Sequence, residues 1–168
     1  MTQPAPPPGM NAFTLLGFEP ALELDEIELQ RRFEHLRTQF HPDRFSNGSS
    51  LERRLAVQRA ADINAAHALL ANPLARARLY FEQRGIALNE AQTMQDHVFL
   101  VQQMELREAL DEAHDEQARA KLRFQVNELW QQTWQSLQTM AHQNNAENIV
   151  RQLQRLQFLQ RFQQQMTD

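Results

Sequence analysis

The chain of 168 residues has 17 basic and 21 acidic side chains, a formal net charge of -4 and a hydrophobic content of 42%. This composition is that of a globular protein with one larger domain or two small ones. It argues against a general nucleic-acid binder, which would normally concentrate a basic excess on one face. The absence of cysteine excludes disulfides, thiolate zinc sites and cysteine catalysis.

The first ten residues hold four of the seven prolines and no basic residue. They resemble neither a secretory signal nor a mitochondrial presequence. No apolar run in the sequence approaches the roughly 20 residues that a helix needs to cross a bilayer. We therefore expect residues 1–10 to form a disordered tail, the protein to have no membrane partner, and its location to be cytoplasmic.

Helical periodicity recurs along the rest of the chain, and no segment combines strand alternation with a hairpin turn signal. The sequence therefore predicts an all-α fold. Phe13 indicates a short first helix. Asp25 with Glu28 is typical of a capping box that opens a second helix, which Pro42 ends. The apolar side chains of that helix recur at intervals of 4, 3 and 4 residues and are Leu29, Phe33, Leu36 and Phe40.

Two further helices complete a predicted N-terminal domain over residues 11–84. Ser49 can cap the third helix, which stops at Asn72. Pro73 can open a fourth helix at its first-turn position, and Gly85 follows the end of that helix.

The C-terminal half predicts a three-helix bundle over residues 94–168, joined to the first domain by a linker at residues 85–93. Its helices are expected at about residues 96–114, 116–142 and 146–166. The side chains expected in its core are Leu122, Val126, Leu129, Trp130, Trp134, Leu137, Met140, Ile149, Leu153, Leu156 and Leu159.

The tripeptide His41-Pro42-Asp43 stands between the second and third predicted helices. Pro42 fixes its own backbone angle and keeps His41 out of helical geometry, so His41 and Asp43 are displayed on a bend. Residues 31–44 carry four arginines against Glu34 and Asp43. This excess favours an acidic partner, although charge alone is more typical of a solvated helix face.

The arrangement resembles the J-domain signature in the tripeptide, in the helices on both sides of it and in the short helix at Phe13. In J-domains the tripeptide and the basic face of the preceding helix bind a DnaK-type chaperone and trigger ATP hydrolysis by that partner. Glu34 and His35 depart from the basic pair that general J-domains favour, which implies a specialised chaperone. The chaperone contacts that the resemblance implies are Arg31, Arg32, Arg37, His41, Pro42, Asp43 and Arg44.

A second surface is predicted on the fifth helix, which is apolar on two sides. Its expected core stripe consists of Phe99, Leu106, Leu110 and Ala113, which lie within about 40° of one another. Leu100, Val101 and Met104 lie about 100 to 200° away from that stripe, and Phe158 lies opposite Leu156 on the last helix. Such off-face residues either pack between neighbouring helices, as is common in bundles, or form a binding face.

The segment from Phe99 to Glu108, FLVQQMELRE, is similar to the motif of the HscB family, the J-type co-chaperones of iron-sulfur cluster assembly. The resemblance spans nearly all of residues 11–168 and favours a bacterial-type member with no bound zinc and no other cofactor. In this family the C-terminal bundle binds the cluster scaffold protein (IscU type) and presents it to a specialised chaperone (HscA type). The implied scaffold contacts are Leu100, Val101, Met104, Glu105, Arg107, Glu108 and Phe158.

The resemblance therefore implies a non-enzymatic co-chaperone. It would deliver the scaffold to the chaperone, stimulate the chaperone's ATPase, and promote cluster transfer and maturation of iron-sulfur proteins. Neither nucleic acid nor membrane is an expected partner.

Three other interpretations remain open. An enzyme would use His41 and Asp43 as an acid/base dyad, but the sequence marks no nucleophile, phosphate-binding glycine loop or carboxylate pair. Metal binding has little support because none of the six histidines pairs with another at i,i+4. The bundle can also serve only as a spacer or dimerisation module. Burial of Leu100, Met104 and Phe158 within the monomer would remove the main support for scaffold delivery.

Overall fold

The structure is a computed structural model that describes residues 11–88 and 96–167. These residues form seven α-helices and one short 3-10 helix with no strand among them, which confirms the all-α prediction. The chain divides between Tyr80 and Phe81 into two compact units. The predicted tail at residues 1–10 lies outside the described residues, as does most of the predicted linker at residues 85–93.

Short polar side chains begin the N-terminal helices. The helical segments are α1 (Ala12–Leu15), α2 (Glu26–Gln39), the 3-10 helix (Pro42–Phe45), α3 (Ser50–Ala71) and α4 (Pro73–Gln83). Ser49 and Glu52 make both hydrogen bonds of a capping box, which fixes the start of α3. At α2 the Asp25 carboxylate accepts two backbone hydrogen bonds, at 2.9 and 3.1 Å. The Glu28 carboxylate binds arginines instead of completing a box there.

The core of the N-terminal unit is formed by one face each of α1, α2 and α3. Its buried side chains are Ala12, Phe13, Leu16, Leu29, Ile63, Ala66 and Leu70. Phe33, Leu36 and Phe40 on the predicted stripe of α2 pack against this core while remaining partly exposed. His67 stacks on Phe33 with 3.9 Å between ring centroids, so it is a packing residue. The small alanines let the helices approach closely.

Arg76 is a buried cation on α4, with only 6% of its surface exposed. Its Nε donates to the Leu22 carbonyl at 2.8 Å, and its Nη1 donates to the Leu70 carbonyl at 2.6 Å. Burial lowers the pKa of Arg76, and Glu23 and Glu26 oppose that shift. Since Leu70 lies in the last turn of α3, the guanidinium satisfies a carbonyl that has no partner within its own helix.

The C-terminal unit contains the three predicted long helices. They are α5 (His97–Glu112), α6 (Glu116–Met140) and α7 (Ala146–Thr167). Most of the predicted core side chains are buried, whereas Leu129, Trp130 and Met140 are only partly buried. Phe162, which the sequence analysis did not name, is also buried because it continues the inward stripe of α7 one turn beyond Leu159.

Asp96 joins the start of α5 to α7. One carboxylate oxygen caps α5 by accepting from the Phe99 N–H at 3.1 Å, and the other binds Arg155 at 2.5 and 2.9 Å. Burial raises the pKa of Asp96, but its hydrogen bonds to Arg155 and to the Phe99 N–H outweigh burial and leave the pKa below its usual value. The Arg155 guanidinium also lies 5.3 Å from the centre of the Phe99 ring. This pair fixes where α5 begins.

Candidate docking surfaces

The tripeptide His41-Pro42-Asp43 forms the start of the 3-10 helix after α2. The Nδ1 atom of His41 accepts a hydrogen bond from the Asp43 N–H at 3.3 Å, and the His41 carbonyl accepts one from the Arg44 N–H at 3.0 Å. The side chains of His41 and Asp43 are 53% and 92% exposed. The turn therefore holds both side chains at the surface.

Glu28 neutralises much of the positive charge on the first half of α2. Its carboxylate binds Arg31 at 2.6 Å and Arg32 at 2.7 Å. The hydrogen bonds from Arg31 and then Arg32 lower the pKa of Glu28 from 4.5 to about 2. Because Glu28 lies just outside residues 31–44, the free positive charge of this face is smaller than the four arginines in that segment suggest.

Arg32 points into the N-terminal unit. It donates to the carbonyls of Leu16 at 3.4 Å and of Gly17 through a shorter contact, and its guanidinium lies 4.2 Å from the centre of the Phe18 ring. Gly17 has φ 74°, in the left-handed region, and an added Cβ would lie 3.4 Å from the Arg32 guanidinium. Arg32 is thus placed to hold the end of α1 against α2.

A groove of about 500 Å³ lies between the end of α2 and the tripeptide, and its walls are Arg37, Thr38, His41 and Arg44. Arg37 pairs with Glu34 at 2.7 Å. Arg44 forms no ion pair with any residue that the structure describes. The uncompensated positive charge of this surface therefore lies beside the tripeptide, where an acidic group of a partner can reach it.

Four apolar residues lie exposed on one side of α5 and are called here the α5 patch. They are Val98 (78% exposed), Leu100 (53%), Val101 (54%) and Met104 (62%). On the opposite side of α5, Phe99 and Leu106 are buried in the bundle. The alternative that Leu100 and Met104 pack inside the monomer is therefore wrong. Exposed carboxylates at Glu105 and Glu108 continue the patch along the helix.

Phe158 is partly buried below Arg107. Its ring meets Phe99 edge-on at 5.6 Å and Phe162 at 5.7 Å between centroids, and it packs against the core of the bundle. The Arg107 guanidinium lies 5.6 Å from the centre of the Phe158 ring. Of the two alternatives that the sequence left open for Phe158, the structure therefore favours partial burial, and Arg107 covers the ring from α5.

Comparisons with known proteins identify the family of this chain. Residues 95–167 match the family model described as the HSCB C-terminal oligomerisation domain. A co-chaperone protein HscB homolog of Vibrio vulnificus (strain YJ016) is 42% identical over 134 residues, which are 77% of this chain and 78% of the relative. The homolog of Aeromonas hydrophila is 43% identical over 139 residues, 77% of this chain and 81% of that protein. The chain belongs to the HscB co-chaperone family.

Two solved structures of HscB proteins share the fold. Chaperone HscB from Vibrio cholerae superposes with a TM-score of 0.83 at 33% identity and covers 94% of this chain and 96% of its own. The crystal structure of human co-chaperone protein HscB gives a TM-score of 0.88 at 25% identity, over 97% of this chain and 83% of its own. The fold is therefore an N-terminal J-domain helical hairpin with a C-terminal three-helix bundle, as predicted.

Two exposed residues of this HscB-family chain were missed in the sequence analysis. Val98 lies three residues before Val101 on the same side of α5, and Ile27, which is 82% exposed, lies one turn before Arg31 on the outward face of α2. Helical spacing was the available signal for both. Neither residue belongs to the core stripe of its helix, and each continues a candidate surface toward the helix start.

The described residues give little support to an acid/base dyad or to a metal site. His41 Nδ1 and Asp43 Oδ2 lie 3.6 Å apart on an exposed turn, where water has free access to both groups. Within residues 11–88 and 96–167 there is no cluster of three histidine or acidic side chains able to hold a metal ion. Within the same ranges, no helix is both long and apolar enough to cross a membrane.

Proposed function

We propose that this chain is a non-enzymatic adapter that binds an IscU-type iron-sulfur scaffold through its bundle and an HscA-type chaperone through its J-domain. Family membership and the exposure of one candidate surface in each unit support the proposal. Linking two binding modules in one chain raises the local concentration of one partner near the other. The adapter thereby promotes cluster transfer and maturation of iron-sulfur proteins, in the cytoplasm of a bacterial-type cell.

On the J-domain, the groove beside the tripeptide is the proposed centre of chaperone binding. His41, Pro42 and Asp43 form its fixed turn, and Arg37 and Arg44 supply its positive charge. Arg31 is exposed on the same helix with its charge shared by Glu28, so it contributes as a rim residue. Arg32 acts by positioning α1 rather than by contact. ATP hydrolysis itself belongs to the partner chaperone.

On the bundle, the α5 patch is the proposed centre of scaffold binding. Leu100, Val101 and Met104 expose apolar surface to water in the free protein, and docking would bury that surface, which is favourable. Glu105 and Glu108 form an acidic rim, which fits a scaffold surface with basic residues beside an apolar one. Arg107 is exposed beside this surface, and its guanidinium covers the partly buried ring of Phe158.

The experiment that tests the proposal measures the ATPase rate of the HscA-type chaperone with this protein, with the scaffold and with both. We expect a greater rate with both than the separate effects predict. His41→Gln should remove the stimulation without unfolding the protein, because the side chain is exposed and its backbone partners remain. His114→Gln is the matched control, since His114 is an exposed histidine of the other unit. Full stimulation by His41→Gln would refute the J-domain role.

A second candidate function is self-association of the bundle. The matched family model over residues 95–167 is described as an oligomerisation domain, and this observation favours it. The two functions are compatible in one protein if they occur at different times or on different surfaces.

A further inference from the structure

The sulfur atoms of this chain all belong to methionine, since the sequence contains six methionines and no cysteine. Three of the six, Met104, Met140 and Met166, lie within the described residues. Met140 and Met166 are partly buried, and Met166 packs against the core of the bundle. Met104 is 62% exposed, so its thioether is the most accessible of the three to an oxidant dissolved in water.

Met104 also lies within the α5 patch. Leu100 and Val101 precede it by four and three residues, which places the three exposed side chains on one side of the helix. An oxidant that reaches this sulfur therefore acts on a surface that docking would bury. No thiol within the chain competes for the oxidant, because there is no cysteine.

We infer that Met104 is an oxidation site at which hydrogen peroxide reversibly disables the α5 patch. The inference rests on the proposed function, because the patch is taken as the scaffold surface. In the forward step the thioether sulfur attacks one oxygen of the peroxide, an S–O bond forms and the O–O bond breaks. The sulfur loses two electrons and becomes a sulfoxide, and the other oxygen leaves as water with both peroxide protons.

The return to methionine uses a separate reaction. Methionine sulfoxide reductases, one for each sulfoxide epimer, transfer two electrons and two protons from a dithiol, which becomes a disulfide while the oxygen leaves as water. Since this chain has no cysteine, both the dithiol and the reductase come from outside it. The state of Met104 thus reports the balance of peroxide and thiol around the protein.

The sulfoxide changes what the α5 patch can bind. It places a polar, hydrated S–O group where the free protein has an apolar side chain. Docking must then remove water from that oxygen, and the neighbouring side chains of Leu100 and Val101 carry no donor that replaces it. The dissociation constant of the scaffold should therefore rise roughly tenfold or more. The helix should stay folded, because Met104 is exposed and lies outside the core stripe.

Binding and oxidation oppose each other at Met104. A docked scaffold covers the sulfur, so the complex should be oxidised more slowly than the free protein. Oxidation of the free protein in turn weakens docking. The reaction therefore acts on adapters without a scaffold and spares complexes that have already formed.

Peptide mass spectrometry of the folded full chain, after timed exposure to dilute hydrogen peroxide, tests the site. We expect one oxygen to be added at Met104 several times faster than at Met140 or Met166, which serve as internal controls. Equal rates at the three residues would overturn the inference. When the scaffold is present, the ratio of the Met104 rate to the Met140 rate corrects for peroxide that the scaffold consumes, and this ratio should fall.

Isothermal titration with an IscU-type scaffold, added after the peroxide has been removed, tests the effect on binding. Wild type and Met166→Leu should both lose affinity roughly tenfold or more on oxidation, and the reductases with dithiothreitol should restore it. Met104→Leu has no sulfur at this residue, so its affinity should be the same before and after peroxide, whatever its starting value. An equal loss in Met104→Leu, or full affinity in oxidised wild type, would refute the role of Met104.

Two results separate this inference from the proposed function. If the scaffold does not bind unoxidised wild type, the proposed scaffold role fails, while preferential and reversible oxidation of Met104 in the mass spectra still establishes the site. If the scaffold binds without lowering the ratio of the Met104 and Met140 rates, the scaffold docks elsewhere and the inference is wrong.

Discussion

Replacing Met104 by alanine should weaken scaffold binding by an amount that follows from its exposure. Complete burial of a methionine side chain contributes about 1.5–3 kcal/mol. Met104 is 62% exposed in the free protein. Docking can therefore bury at most the remaining three fifths or so, which corresponds to about 1–2 kcal/mol. The dissociation constant of the scaffold should rise about 5- to 30-fold.

The stability of the folded protein should hardly change with this substitution. The thermal midpoint of Met104→Ala is expected to stay near that of wild type, since alanine favours helix and little buried contact is lost. Isothermal titration of wild type and variant with an IscU-type scaffold measures the affinity. Phe124→Ala removes a side chain of similar exposure from α6 and serves as the control. Unchanged affinity for Met104→Ala, or an equal loss for Phe124→Ala, would refute scaffold docking on the α5 patch.

Three further predictions concern the charged residues. Asp96→Asn keeps the cap on α5 but loses the charge that binds Arg155, so the free energy of unfolding measured in urea should fall by about 1.5–3 kcal/mol. Glu147→Gln, which removes a 3.6 Å pair with Arg151, should change it by less than about 1 kcal/mol, and equal effects would contradict this account.

Because the pKa of Glu28 is lowered, its contribution to stability is present above pH 4.5 and lost as the pH falls toward about 2; the unfolding profile of Glu28→Gln should be flatter than wild type over that window. Arg44→Ala should reduce ATPase stimulation at unchanged stability, whereas Arg32→Ala should lower stability by about 1–2 kcal/mol through its lost contacts with Gly17 and Phe18. The opposite pattern would exchange their assigned roles.

Much of the fold could be predicted from local signals. Ser49 and Pro73 mark helix starts that can be read directly from the sequence. The apolar residues of α3 and α6 recur every three or four positions, so these helices are also visible in the sequence. The same periodicity placed Leu100 and Met104 off the core stripe of α5 but left open whether a neighbouring helix buries them, and the structure shows that both are exposed.

The contacts that escaped prediction join residues far apart in the chain. Arg32 binds carbonyls 15 and 16 residues earlier, and Asp96 binds Arg155 across 59 positions. The sequence around Arg32 and Asp96 does not indicate these distant partners, because an arginine on a solvated face and an arginine that reaches into a loop have the same sequence pattern. The burial of Phe158 stayed open in the sequence because it depends on Phe99 and Arg107, which belong to another helix.

The buried guanidinium of Arg76 has a consequence for how the N-terminal unit opens. It holds the Leu22 carbonyl ahead of α2 and the Leu70 carbonyl at the end of α3 with one planar group. Neither carbonyl can be released without exposing the cation or leaving the other unpaired, so the two segments should unfold locally as one cooperative unit. Amide hydrogen exchange would then report matching opening free energies for both segments. Arg76→Lys would uncouple the two segments, because an ammonium lacks the planar fork of donors with which the guanidinium binds both carbonyls.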